Sequence, residues 1–181
     1  MKKTIAAVVC AAAAALSVQA HAEDAKVLRM ACESTYAPFV FFDSETGKLK
    51  GFEIDLLEYV AKEMGRKLEV TNMGFDAIIP SMLTGITDVG ASAFTITPER
   101  AKRVLFSKPY YISGLSILVR AEDKDKIKSV KDIENCTICA QIGTSGSMRA
   151  AKVPGAKVRN FNTINDAYLE LGNKGCKAVI T

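Results

Sequence analysis

Segments typical of strands and helices alternate along this chain from Lys26 onward, with short connections between them. A first round predicts, in order, a strand at 26–32, a helix at 51–64 ended by Gly65, a strand at 67–72, a helix at 76–83 and a strand at 88–93. Strands separated by helices pair in parallel, because a parallel neighbour is reached only through a crossover connection. The sequence therefore predicts an α/β protein whose helices cover a mainly parallel sheet.

Each of these two helices carries a distinct local pattern. The first has an apolar stripe that we expect to pack against the sheet: Phe52, Leu56, Tyr59, Val60 and Met64. In the second, Asp76 is the expected N-cap, which puts Pro80 near the start of the helix, where proline is tolerated.

A second α/β round follows a β-rich run at 115–120 and a charged run at 121–126, which we expect to be a solvated connection. Ser129 with Asp132, and Thr163 with Asp166, have the spacing of capping boxes. The remaining segments predict strands at 137–141, 156–161 and 177–181 and helices at 145–152 and 163–171. We therefore predict two lobes, each a doubly wound and mainly parallel sheet.

Residues 1–22 have the pattern of a secretory signal peptide: Lys2 and Lys3 precede an apolar run at 5–16, and small residues surround His21. No segment approaches the ~20 apolar residues needed to span a bilayer, so we expect an exported chain that does not span the membrane. Removal of the signal takes the only histidine and lowers the net charge from +4 to +2. That charge is too balanced for a nucleic-acid-binding protein.

Two segments could bind a carboxylate. The turn at 143–147 lies between a strand and a helix, where backbone N–H groups attract anions, but it lacks the Gly-Lys-Ser/Thr ending of a phosphate loop and the closing glycine of a hydrolase elbow. Arg100 follows the third strand, at the sheet edge where open α/β folds bind ligands. Glu33, Tyr36 and Phe39 should line the same edge. A flexible turn and a surface ion pair remain the alternatives.

Several motifs, in order and at matching spacing, resemble the polar amino-acid solute-binding proteins of ABC importers, which have the type II periplasmic-binding-protein fold. The motifs are YAPF at 36–39, GFEIDL at 51–56, IIPSML at 78–83, TITPER at 95–100 and FSKPY at 106–110. The resemblance covers about 28–181 and implies a first lobe at 23–114, a hinge strand at 115–120 and a second lobe at 121–181. It also implies a monomer in the periplasm that passes a polar amino acid to a membrane permease, without catalysis, cofactor or metal.

The resemblance assigns roles to particular residues. Arg100 and the backbone N–H of Ser145 would hold the ligand α-carboxylate, while the Ala93 carbonyl and the Thr95 hydroxyl would receive its amino group. The ligand side chain would meet Glu33, Tyr36, Phe75 and Gln141. Because Glu33 is acidic, a basic or amide side chain is favoured. For Tyr36 and Phe75, core packing remains the alternative.

The chain also departs from the family. The strand at 177–181 is followed there by an aspartate that binds the ligand ammonium, and a return segment completes the first lobe. We therefore expect a truncated chain with an incomplete first lobe and weak binding. Lys177 stands where the family usually has an acidic residue.

The cysteines raise a separate question. Cys136 and Cys139 match a Cys-x-x-Cys motif, but in a strand these side chains face opposite sides, too far apart to bridge. Right-handed crossovers should place the strand after Cys136 beside the strand after Cys176, so we predict a disulfide between these two residues, with Cys32 and Cys139 left as thiols.

Two other functions are compatible with this fold. A secreted dehydratase would need a general acid or base in the cleft, for which Glu33 is the candidate. A sensory ligand-binding module would continue into a membrane segment and a signalling domain.

Overall fold

The structure is a computed structural model and describes residues 26–181; the predicted signal peptide lies outside them. In chain order the elements are β1 (Val27–Cys32), β2 (Thr35–Tyr36), β3 (Val40–Phe42), β4 (Leu49–Lys50), α1 (Phe52–Glu63), β5 (Lys67–Asn72), α2 (Phe75–Leu83), β6 (Val89–Gly90), α3 (Pro98–Ala101), β7 (Ile117–Leu118), β8 (Thr137–Gln141), α4 (Ser145–Ala150), β9 (Lys157–Phe161), α5 (Ile164–Gly172) and β10 (Ala178–Ile180). Short 3₁₀ turns occupy Ala121–Asp123 and Val130–Ile133.

The first unit, residues 27–101, is built on a parallel sheet of order β5-β1-β6. Alternation along β1 sends Met30 and Cys32 into a core shared with Ile54 of α1, and Ala31 into a core shared with Phe75 and Ile78 of α2. The two helices therefore cover opposite faces of the sheet, as predicted. A small antiparallel sheet, β2-β3-β4, was not predicted from the sequence.

The second unit, residues 117–180, has a sheet of order β7-β10-β8-β9, in which only the β7–β10 pair among the described strands is antiparallel. Ile138, Ala150 and Ala178 lie in the core on the α4 face, while Cys139, Leu171 and Val179 lie in the core on the α5 face. The run at 115–120, predicted as a hinge strand, contains the short strand β7, which lies at an edge of this sheet. Both units are thus mainly parallel sheets with helices on both faces.

Local signals located several element ends correctly. Gly65 has a φ of 67°, and the N–H groups of Gly65 and Arg66 bond the carbonyls of Lys62 and Ala61, which is a Schellman ending for α1. Thr163 caps α5 by accepting a bond from the Asp166 N–H. The Asp132 carboxylate accepts a bond from the Ser129 N–H at 2.8 Å, although this box opens a 3₁₀ turn and not an α-helix.

The predicted face of α1 is wrong. Phe52, Tyr59 and Met64 are exposed, and the helix packs on the sheet through Ile54 and Leu57. A helix with apolar residues on two stripes can turn either stripe to its sheet, and here the other stripe faces a cavity through Leu56 and Val60.

Two further boundaries differ from the prediction. Helix α2 starts at Phe75 after Gly74, so Asp76 lies in its first turn and Pro80 lies inside the helix. The third strand is shorter than 88–93, because Ser92 and Ala93 leave the sheet and Ala93 has a positive φ of 49°.

The charged run at 121–126 is only partly solvated. Asp123 is buried and forms ion pairs with Arg120 at 2.7 Å and with Lys177 at 2.8 Å. These pairs lower the pKa of Asp123, with the hydrogen bond from Lys177 as the largest cause. They also give Lys177 a structural role within the second unit.

The predicted Cys136–Cys176 disulfide is not formed, since all the described cysteines are free thiols. The backbone does pair the two strands as expected, with Ala178 opposite Ile138. However, Cys176 lies in the core on the α5 face together with Cys139. The topological argument located the strands correctly but not the direction of the Cys176 side chain.

Candidate ligand-binding site

A cavity of about 940 Å³ lies between the two units. Its walls come from the carboxyl end of β1, the segment after β6, the segment at 104–115 and the start of α4. All the residues predicted to bind the ligand line this one cavity: Glu33, Tyr36, Phe75, Ala93, Thr95, Arg100, Gln141 and Ser145. Residues far apart in sequence meet here because parallel strands of both sheets end at this edge.

Arg100 lies within α3, which begins after the N-cap Thr97, and its side chain is buried. The guanidinium donates to the Thr95 carbonyl at 2.8 Å and to the Gly143 carbonyl of the second unit at 2.9 Å. Burial lowers the pKa of Arg100, but an arginine stays protonated at neutral pH. Since arginine has five N–H donors, these two bonds leave donors for a planar carboxylate.

Two aromatic rings hold the guanidinium from one side. Phe75 and Phe94 are stacked with their centroids 4.4 Å apart, and the Arg100 guanidinium carbon lies 5.4 Å and 5.0 Å from the two centroids. Both distances are within the range of a cation–π interaction. Phe94 was not among the predicted site residues, because nothing in its local sequence indicates that it packs against Arg100.

Thr95 and Ser145 face each other across the cavity, with 3.0 Å between their hydroxyl oxygens. Ala93 lies just before Thr95, and its N–H is bound by the Glu53 carboxylate at 2.9 Å and 3.1 Å. A cluster of hydroxyls and backbone groups therefore lies next to the cationic Arg100.

Glu33 and Gln141 form a second contact across the cavity, and both are buried. One Glu33 carboxylate oxygen accepts bonds from the Gln141 side-chain amide at 3.1 Å and from the Thr35 hydroxyl at 2.9 Å. Tyr36 stacks on Phe39 and packs against the α5-face core of the second unit, so it both lines the cavity and contributes to packing. The cavity thus contains a buried cation and a buried acidic side chain.

Two α/β units with one cavity between them, lined by charged and polar side chains as well as apolar ones, have the arrangement of a two-lobed binding-protein fold. Residues 28–181 match the model of the bacterial extracellular solute-binding proteins, family 3, and the chain belongs to this family. Within residues 26–181, no helix combines the length and apolar character needed to cross a membrane.

Relatives and solved structures agree with this assignment. A probable histidine-binding protein of Campylobacter jejuni subsp. jejuni serotype O:2 is 33% identical over 153 residues, which are 84% of this chain and 59% of that protein. An ancestral arginine-binding protein bound to arginine superposes with a TM-score of 0.82 at 40% identity, covering 86% of this chain and 70% of that one. An ancestral amino-acid-binding protein described as a precursor of cyclohexadienyl dehydratase gives a TM-score of 0.81 at 39% identity, with the same coverage of both chains.

The chain spans little more than half the length of several curated relatives that it matches. Besides the 59% of the Campylobacter protein, it covers 52% of a probable amino-acid ABC transporter-binding protein of Haemophilus influenzae.

Proposed function

We propose that this chain is an extracytoplasmic receptor that captures a polar amino acid with a basic or amide side chain for an ABC importer. The observation that carries the proposal is the buried pair of opposite charges, Arg100 and Glu33, on the wall of one cavity. A free amino acid has a carboxylate at one end, and a basic one has a cation at the other. The two buried side chains are complementary to those groups.

In this proposal Arg100 binds the ligand carboxylate together with the Ser145 backbone N–H. The Ala93 carbonyl and the Thr95 hydroxyl accept hydrogen bonds from the ligand amino group. The ligand side chain lies among Tyr36, Phe75, Glu33 and Gln141, whose carboxylate and amide groups can pair with a guanidinium, an ammonium, an imidazole or an amide.

The names of several relatives refer to histidine or arginine, and an ancestral arginine-binding protein is also bound to glutamine, which supports a ligand with a basic or amide side chain. They are binding proteins, which supports capture and release over a dehydratase reaction. Residues 1–22 would direct export to the periplasm, 23–114 and 121–181 would form the two lobes, and 115–120 would connect them. The partner would be the membrane permease of the importer, which receives the ligand from a monomeric receptor.

Calorimetry with each of the twenty amino acids tests the proposal. Arginine, lysine or histidine should bind, and Arg100→Ala should weaken that binding at least about tenfold, because a charged hydrogen bond contributes roughly 1.5–3 kcal/mol. Arg103→Ala is the matched control, since it removes an exposed arginine three residues further on. Equal affinity of the Arg100→Ala and Arg103→Ala variants would remove Arg100 from the site, and no binding of any amino acid would overturn the function.

Glu33→Gln tests the preference for a basic side chain. The change removes the negative charge but keeps the size, so binding of arginine, lysine and histidine should weaken more than binding of glutamine. Equal losses for all four ligands would mean that Glu33 contacts the common amino group or no ligand.

A further inference from the structure

Glu53 is the acidic residue of the GFEIDL segment and is fully buried in the first turn of α1. The start of this helix is fixed by the YAPF turn: the N–H groups of Phe52 and Glu53 bond the carbonyls of Pro38 and Phe39 at 3.0 Å and 3.1 Å. Gly51 permits this approach, because a Cβ there would collide with the Phe39 carbonyl. The carboxylate is therefore held at a defined place on the cavity wall.

Both hydrogen-bond partners of the Glu53 carboxylate are neutral donors. The Ala93 N–H bonds both carboxylate oxygens, at 2.9 Å and 3.1 Å, and the Tyr110 hydroxyl donates to one of them. Burial is the main cause that raises the pKa of Glu53, and these two bonds act against it. Burying a carboxylate costs free energy of desolvation, which an apolar side chain filling the same space would avoid. A carboxylate at this position therefore indicates that its hydrogen bonds are needed.

The bonds between the Ala93 N–H and the Glu53 carboxylate stabilise the backbone at Ala93. It has left strand β6, so no neighbouring strand fixes its N–H, and its φ of 49° is unfavourable for a residue with a Cβ. The preceding residue is held as well, because the Ser92 hydroxyl bonds the N–H and the carbonyl of Glu33 at 3.2 Å. Residues 92 and 93 are thus tied to Glu33 on one side and to Glu53 on the other.

We propose that Glu53 is a positioning residue for the ligand site. It holds Ala93 in its left-handed conformation and so directs the Ala93 carbonyl toward the ligand amino group. This inference rests on the proposed function, because it takes an amino acid as the ligand. In this role Glu53 acts on the ligand through Ala93.

One experiment needs no ligand. Amide hydrogen exchange of the full chain compares Ala93 with Ala91, whose N–H bonds the Ala31 carbonyl in the sheet at 3.0 Å. Glu53→Leu should speed exchange at Ala93 at least about tenfold and leave Ala91 unchanged, because only the first amide loses its acceptor. Unchanged exchange at Ala93 would overturn the proposal.

A second experiment asks which part of the ligand depends on Glu53. The probes are L-arginine and 5-guanidinopentanoate, which is the same molecule without the α-amino group. Glu53→Leu should weaken arginine binding by about tenfold and change binding of the analogue by less than about twofold. Equal losses for both probes would mean that Glu53 only supports the general packing of the site, and that result would overturn the proposal.

Two variants make this reading secure. Glu53→Gln keeps the size and one oxygen acceptor for the Ala93 N–H, so arginine affinity should fall between that of the wild type and that of Glu53→Leu. If Glu53→Leu does not fold, Glu53→Gln serves as the test in its place. Fast exchange of the Ala93 amide in Glu53→Gln, together with the arginine affinity of the wild type, would contradict the proposal. Glu58→Gln removes an exposed carboxylate of the same helix that does not line the cavity, and its arginine affinity should match the wild type.

The two proposals can fail separately. If the wild type binds no amino acid, the proposed function fails, while the exchange of the Ala93 amide still decides whether Glu53 holds this residue. If arginine binds and Glu53→Leu changes neither the exchange nor the affinity, only the positioning role fails.

Discussion

Arg100 illustrates how neutral groups can hold a buried charged side chain. Two carbonyl oxygens accept its N–H groups, and the centroids of two stacked aromatic rings lie 5.4 Å and 5.0 Å from the guanidinium carbon. Each of these contacts is compatible with further N–H donation to a planar anion. The guanidinium is thus oriented in advance, which lowers the entropy that a ligand must offset on binding.

The described thiols should differ in their reactivity. Burial raises the pKa of Cys32 to about 12, helped by the nearby Glu33 and Glu53 carboxylates. Burial, together with a hydrogen bond that the Cys139 thiol donates to Cys176, raises the pKa of Cys139 to about 12. Because the thiolate is the reactive form, iodoacetamide at pH 8 should modify the half-buried Cys136 first. The other described cysteines should react only after unfolding.

Peptide mass mapping before and after denaturant measures this order. Early labelling of Cys32 or Cys139 would contradict it. A Cys136–Cys176 disulfide in non-reduced material would restore the pairing expected from strand order.

The residues of the site differ in how far the sequence could predict them. Arg100, Thr95 and Ser145 follow strand ends and carry polar groups, so their position and chemistry both indicate a site. Glu53 could not be predicted in the same way, because an acidic residue in the first turn of a helix is typical of a solvated helix end. Its burial depends on the YAPF turn and on Tyr110, which are distant in sequence.

At the scale of elements, α4 and β10 are in direct backbone contact. Gly146 is buried within α4, and a Cβ there would collide with the Ile180 carbonyl oxygen and lie 2.9 Å from its carbon. A glycine inside a helix costs about 1 kcal/mol relative to alanine, so its presence here fits the close approach. This contact also sets the position of Ser145 on the cavity wall.

Gly146→Ala should therefore destabilise the protein, by about 1–3 kcal/mol, because α4 must move away from β10. Gly172→Ala is the matched control: this glycine is also helical, but a Cβ there would meet nothing within 4 Å. It should stabilise the protein by about 0.5 kcal/mol. Urea unfolding of both variants measures the difference, and a stabilising Gly146→Ala would show that α4 is not held by this contact.

Elements were predicted best where their signals are local. The Schellman glycine of α1 and the threonine cap of α5 depend on a few adjacent residues, and both were located correctly. The orientation of α1 depends on which of its two apolar stripes meets the sheet. That choice is made by tertiary packing, so the sequence of the helix does not determine it.

At the scale of the whole molecule, the two units are joined directly across the cavity. Gln141 bonds Glu33 at 3.1 Å, the Ser145 and Thr95 hydroxyls lie 3.0 Å apart, and Arg100 bonds the Gly143 carbonyl at 2.9 Å. A ligand that enters must replace some of these bonds with its own. The free energy by which a ligand favours closure is therefore the difference between the contacts that the ligand makes and the contacts between the units that it replaces.

Gln141→Ala should shift the units apart, because it removes one of the bonds between them without touching either core. Small-angle scattering without added ligand should give a larger radius of gyration than for the wild type. Ser147→Ala is the control, since Ser147 bonds Asn160 within the second unit at 2.7 Å. If both variants have the same radius as the wild type, the Gln141–Glu33 bond does not hold the units together.

The strand order of the second unit has a consequence for the newly made chain. β10 lies between β7 and β8 in the sheet, although the ribosome makes it after both. β8 and β9 can pair as soon as both have left the ribosome. The backbone groups of β7 that pair with β10 stay unpaired until residues 178–180 have been translated. The bonds of Arg120 to the Cys176 carbonyl and of Lys177 to Asp123 wait for the same stretch. The described pairing of β7, β10 and β8 can therefore form only after residues 178–180 have been synthesised.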